Sequence, residues 1–179
     1  MAGRSQFVGL AGAYFVAYAL TVRGHHAAIT TGNVPRVDVL VSTVDGSSQI
    51  ALQVKTRTNA YKHNWYGREA WQWDVGRSAS GYHTPNYWYA LVDPQQENEN
   101  DTPKWNPVVY LVPSIWVSGF VQPNWKRAVY WLRPGQQIED TRERWDWIAR
   151  YFDKDTDAIR WTETYPQDAE HRAGEGTAA

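Results

Sequence analysis

The chain has 179 residues, no cysteine and a formal charge of −1. That is room for one domain with a real core, and it excludes a disulfide framework, a thiolate metal site and a cysteine nucleophile. The charge is uneven, with 8 Lys/Arg against 4 Asp/Glu in residues 1 to 80 and 10 against 15 in residues 81 to 179, so a polyanion would choose the N-terminal half.

The first segment, Phe7 to Val22, carries no charge and imitates a signal peptide. It lacks a polar cleavage region, is short for a membrane span, and ends in Arg23-Gly24, which reads as a helix end with Gly24 in the left-handed region. The expectation is a retained helix in a cytoplasmic protein without a membrane segment. Small residues at Gly9, Ala13 and Ala17, and at Gly12, Val16 and Ala19, suit close packing of that helix on a sheet.

His25 to Thr31 reads as a first strand, Gly32-Asn33 as a turn, and Pro35 as the opening of the next element. "RVDVLVSTV" alternates, with Val37, Val39 and Val41 on one face and Asp38, Leu40 and Ser42 on the other. Asp45-Gly46 is a hairpin signal. The return strand places Ile50, Leu52 and Val54 on one face and Gln49, Ala51, Gln53 and Lys55 on the opposite one. Such a hairpin brings Asp38, Gln53 and Lys55 together.

Residues 59 to 86 read as a loop followed by a helix. "YWYALVD" and "PVVYLVP" read as strands, with "PQQENENDTPKWN" between them as an exposed loop. "SIWVSGF" is expected as a short helix. "EDTRERWDWIARYF" is expected as a longer one, with Asp140 and Glu143 as a capping box and Trp145, Ile148, Ala149 and Phe152 on one face. Trp88, Trp145 and Trp147 fall within these patterns and are assigned to core or interface. The expectation is one domain over 1–166 and a disordered tail over 167–179.

The order helix, strand, strand with Asp, hairpin, strand with "QVK" resembles the PD-(D/E)XK nuclease superfamily. Asp38 stands where the family has its aspartate. Gln53, Val54 and Lys55 stand where it has (D/E)XK, in the Gln variant of some intron homing endonucleases and resolvase-like relatives. "GLAGAYFVAYALTVRG" resembles the family's first helix, and the likeness covers residues 9 to 57. It implies an α/β restriction-endonuclease-like core, a central mixed β-sheet flanked by helices, acting on DNA with Mg²⁺ or Mn²⁺. It further implies metal ligands at Asp38, Gln53 and the Val54 carbonyl, with Lys55 orienting or deprotonating water or relieving charge.

Where the family has Glu in the first helix this chain has Ala13, and Asp38 is the first acidic residue in the chain. A single anionic ligand weakens a Mg²⁺ site. Three accounts fit: a degenerate site, a carboxylate such as Glu69 or Asp74 entering from later in the chain, or an inactivating substitution at Ala13. Arg57, Lys62, Arg68 and Arg77, interleaved with Tyr61, Trp65 and Tyr66, suit a nucleic-acid backbone and its bases as well as an ordinary solvated loop. His25-His26 reads as a strand start rather than a ligand pair, because neighbours on a strand face opposite ways. The expected partners are DNA and a second copy in a homo-oligomer. Against a nuclease stand a non-catalytic nucleic-acid-binding or assembly module of the same fold and an aromatic-rich carbohydrate binder.

Overall fold

A 20-residue helix, α1 (Ala2–Thr21), opens the chain in a computed structural model that describes residues 2–31, 36–65, 68–95, 97–99 and 102–163. The expected turn at Gly32-Asn33, Pro35, Tyr66 and the expected tail lie outside these residues. Ala13, Val16, Ala17 and Leu20, at helical spacing, are buried, whereas Phe7, Leu10, Tyr14 and Tyr18 on the other side are exposed. The helix ends as its sequence indicates. Gly24 has φ 87°, and the His25 N–H returns to the Leu20 carbonyl at 3.1 Å, which satisfies a terminal carbonyl at a backbone angle costly for any residue with a β-carbon.

Among the described residues, ten strands and four further helices follow. They are β1 (His26–Ile29), β2 (Val39–Ser42), β3 (Gln49–Thr56), β4 (Tyr61–Trp65), β5 (Arg68–Asp74), a 3₁₀ turn (Arg77–Gly81), β6 (Tyr87–Asp93), β7 (Glu97–Glu99), β8 (Thr102–Lys104), β9 (Val108–Pro113), α2 (Ser114–Phe120), β10 (Val129–Leu132), α3 (Gln136–Thr141), α4 (Asp146–Phe152) and α5 (Thr156–Glu163). A five-stranded sheet runs β1-β2-β3-β6-β9, and a three-stranded antiparallel sheet runs β10-β5-β4. The first is mixed: β3 and β6 are parallel and every other neighbouring pair is antiparallel.

The two faces of the five-stranded sheet are covered differently. Val39, Val41, Ile50, Leu52 and Val54 are all buried on the face that meets α1. Trp88 of β6 contacts Tyr151 of α4 and Trp161 of α5 on that same side. The opposite face, carrying Gln53, Lys55, Tyr87, Tyr89 and Tyr110 by alternation, meets the second sheet, where Trp73 of β5 packs on Tyr110 at 5.4 Å. All residues of β6 and β9 are buried, but β3 alternates between buried and half-buried. Cover on the second face is therefore complete over β6 and β9 and opens over β3. The expected mixed sheet is present, with helices on one face and a second sheet in place of helices on the other.

Three sequence expectations are corrected. Residues 59 to 86 form the β4–β5 hairpin and the 3₁₀ turn, not a loop and a helix. Their Tyr and Trp content favours a pleated, half-buried surface, and the alternation there was blurred because Gln72 is buried beside Trp73. "PQQENENDTPKWN" holds the two-stranded β7–β8 ribbon. The long C-terminal helix is broken at Glu143, whose φ is 53°. In place of a capping box, the Glu143 carboxylate accepts from the Val109 N–H at 2.6 Å and the Trp145 indole N–H at 2.8 Å.

The closest approach in this architecture is α1 to β3 at Gly12. A β-carbon there would lie 1.8 Å from the Thr56 hydroxyl oxygen and 3.0 Å from the Thr56 β-carbon, and that hydroxyl is buried without a hydrogen-bond partner among the described residues. Alanine gains about 1 kcal/mol over glycine in a helix, but overpacking against a stiff β-branched side chain costs about 1–3 kcal/mol. Gly12→Ala is expected to lower stability in urea denaturation, and adding Thr56→Ala should recover much of the loss. Additive effects of the two substitutions would contradict the contact.

Candidate functional site

Asp38 is the residue on which the candidate site is built. It immediately precedes β2, where the regular ladder to β3 ends. Its N–H donates to the Leu52 carbonyl at 2.9 Å, and its carbonyl accepts from the Thr30 N–H at 3.0 Å, so its backbone links the first and third strands. Its carboxylate Oδ2 accepts from the Val54 N–H at 2.7 Å, supplying the acceptor that β2 no longer provides. This leaves Oδ1 without a hydrogen bond among the described residues.

Gln53 and Lys55 project from β3 on the half-open face. The Tyr87 hydroxyl lies 2.8 Å from the Arg36 carbonyl and 3.0 Å from Gln53 Oε1. One phenolic proton cannot serve both acceptors. Rotating the Gln53 amide by 180° lets its NH₂ donate to Tyr87 and turns the carbonyl oxygen away from the phenol. Burial and the neighbouring Tyr89 hold the Tyr87 phenol protonated far above its ordinary range, and burial pushes Tyr89 up to about 12.

Lys55 is the desolvated ammonium beside Asp38. Burial lowers its pKa, and the charges of Asp38 and Asp74 oppose that shift. The ammonium is thus desolvated in the field of two carboxylates from different sheets. Asp74, at the end of β5, accepts from Arg127 at 3.0 Å and from the Gly76 N–H at 3.3 Å. Glu69 is engaged at the other end of β5, accepting from the Tyr61 hydroxyl at 2.7 Å and lying 3.6 Å from His63. Of the two later carboxylates considered from the sequence, Asp74 is the one whose charge reaches Lys55.

Ala13 is not on the side of the sheet from which Gln53 and Lys55 project. It is 6 % exposed and packs within the apolar core, and its neighbour Gly12 lies against Thr56, whose side chain alternates away from Lys55. The candidate DNA-binding cations are also dispersed. Arg57 is half-buried and donates to the Gln72 carbonyl and side-chain oxygens at 3.4 and 3.1 Å. Burial and the nearby Arg127 lower its pKa. Lys62 is half-buried on β4, Arg68 opens β5, and Arg77 is exposed at the 3₁₀ turn.

Sequence reasoning missed Arg36, Tyr87 and Arg127. Arg36 stacks over Tyr82 at 5.0 Å, and its charge acts on Tyr89. Its position two residues before Asp38 was a usable signal. Arg127 carried none, because it reaches the site only through the pairing of β10 with β5. Comparisons of the chain with protein-family models, with curated proteins and with solved structures find no match. No helix among the described residues is long and apolar enough to cross a membrane.

The desolvated lysine makes a pH-dependent contribution. Its folded-state pKa lies below the ordinary value of about 10.4. Between the two values the unfolded chain binds more protons, so stability from this group rises with pH across that window and is lowest below it. Lys55→Met is expected to remove that rise when urea midpoints of parent and variant are compared from neutral to alkaline pH. Parallel curves would show that Lys55 is not desolvated.

Proposed function

We propose that the protein is a metal-dependent endonuclease that hydrolyses phosphodiester bonds in DNA, with a restriction-endonuclease-like core. The observation that carries this reading is the convergence of Asp38, Gln53 and Lys55 where β2 ends against β3, with the Lys55 ammonium desolvated beside Asp38. Perturbed titration in a half-open site is what acid–base work requires.

Mg²⁺ or Mn²⁺ would be held by Asp38 with the Gln53 and Val54 carbonyls, and when bound would supply charge relief on the phosphate and acidity to water. The donor set fits loosely. Asp38 Oδ1 is available, but the described residues contain no group of three His, Cys, Asp or Glu side chains able to hold a metal. Mg²⁺ keeps several waters and accepts one or two carboxylates, so the fit is to a weakly held, largely hydrated ion. In this reading Lys55, its proton loosened by burial, orients the attacking water or takes its proton. Arg36, two residues before Asp38, and Arg127, paired with Asp74, are exposed cations that a phosphate chain would meet in this reading.

The same absence favours a second reading, a nucleic-acid-binding or assembly module of this fold that does not cut. Nicking of supercoiled plasmid in Mg²⁺ and Mn²⁺ separates the two. Under the leading reading Lys55→Ala and Asp38→Asn lose cleavage by about 100-fold or more, a general acid–base contribution, while DNA affinity stays within a few-fold of the parent. Asparagine keeps an acceptor for the Val54 N–H, so the fold survives. Salt-sensitive DNA binding without metal-dependent cleavage by the parent would establish the module instead.

Ala13→Glu tests whether the first helix could complete the site. With Ala13 buried among apolar residues, an unpaired carboxyl group there, held neutral by burial, is expected to cost about 2–7 kcal/mol, as for other unpaired polar groups, seen as a lower melting temperature that Mg²⁺ does not restore. Recovery of stability by Mg²⁺ together with faster nicking would show that residue 13 reaches the metal.

A further inference from the structure

α1 is apolar all round, although only one of its sides faces the core. On the outer side, Phe7, Leu10, Tyr14, Tyr18 and Val22 run the length of the helix at helical spacing, each 48–73 % exposed. No charged residue occurs from Ser5 to Val22. Large exposed apolar side chains scattered singly need no explanation, but five in one uncharged stripe mark a surface that is covered in the working protein.

We infer that this stripe is the interface of a homodimer, in which α1 packs antiparallel against α1 of a second copy about a two-fold axis. Area supports a second copy. With aromatic side chains at about 150–250 Å² each, the five side chains present on the order of 500 Å². Two copies bury about 1,000 Å², the threshold for a specific interface. Charge supports it as well. A two-fold interface sets the same patch against itself, and a stripe without ionised groups meets no like-charge repulsion.

A lipid surface fits less well, because an interfacial helix is flanked by cations free to meet headgroups. Arg23, although exposed, is engaged within the chain, donating to the Ala19 carbonyl at 2.7 Å and stacking on Trp145 at 5.0 Å. The inference does not depend on the nuclease reading, and its test involves no nucleic acid.

Sedimentation velocity on the full chain across the micromolar range is expected to show a dimer, and Tyr14→Glu with Tyr18→Glu is expected to convert it to monomer. Circular dichroism should be unchanged, since both residues are exposed in the protomer. Because the chain has no cysteine, cross-linking gives a second measurement independent of that variant. Tyr14 lies near the midpoint of the stripe, so Tyr14→Cys should form a disulfide-linked dimer on mild oxidation. Val44→Cys, at an 80 % exposed position on the β2–β3 turn, should not. A parent that stays monomeric, a glutamate variant that stays dimeric, or equal cross-linking at both positions would overturn the interface. So would a parent that is monomeric in solution yet sediments with anionic phospholipid vesicles.

Discussion

The hydrogen bond from the Val54 N–H to the Asp38 carboxylate is the constraint on which the site depends. β3 continues past the point where β2 stops being its partner, so the Val54 amide needs an acceptor that the ladder cannot supply. Asp38 supplies it with one oxygen and leaves the other without a hydrogen bond among the described residues. The same residue anchors the first and third strands through its own amide and carbonyl. One side chain therefore ties the strands together and carries the acid of the proposed site. Removing the side-chain acceptor altogether, as Asp38→Ala would, leaves a buried amide unsatisfied, at about 1–3 kcal/mol.

The unequal cover of the five-stranded sheet gives that carboxylate its setting. β6 and β9 are buried on both faces, and this burial fixes the plane of β3 through the parallel pairing of Ala51 to Thr56 with Tyr87 to Val92. Over β3 the second sheet gives way, so Lys55 is surrounded enough to lose hydration but not sealed from the surface. A lysine in a fully closed core would lose its charge altogether, and one on an open face would titrate normally. The boundary between two packed layers produces the intermediate condition. It also explains why Asp74, in the other sheet, enters the same electrostatic group.

Strand alternation made half of this legible in the sequence. Val39, Val41, Ile50, Leu52 and Val54 recur at every second position, with Asp38, Ser42, Gln53 and Lys55 on the other face, so the β2–β3 hairpin, its turn and the sharing of a face by Gln53 and Lys55 all follow from a period of two. Gly24 could be assigned as the helix stop from local chemistry alone. Tyr61 to Asp74 resisted, because the buried amide of Gln72, held by Arg57, broke the apolar period. Asp74 could be named as a candidate but not located, and Arg127 could not be found at all. Their places depend on how β10 and β5 pair across 53 residues of chain, a relation that no local pattern encodes. The side of the sheet on which Ala13 lies was equally hidden, since helical spacing shows which residues face a sheet but not which face of the sheet they meet.

Glu143 bears on how the molecule stays separate from its neighbours. Its N–H donates to the Val109 carbonyl at 2.7 Å while its carboxylate takes the Val109 N–H, and Arg142 bridges Tyr110. At Val109 the outer rim of β9 thus has its amide and carbonyl occupied by a two-residue stop rather than by another strand. A rim capped in this way offers no template for end-on growth of the sheet into fibrils. The stop works only while the backbone at Glu143 holds its left-handed turn and its side chain keeps the Val109 amide. One exposed acidic residue thereby closes the Val109 position on the open edge of a buried strand.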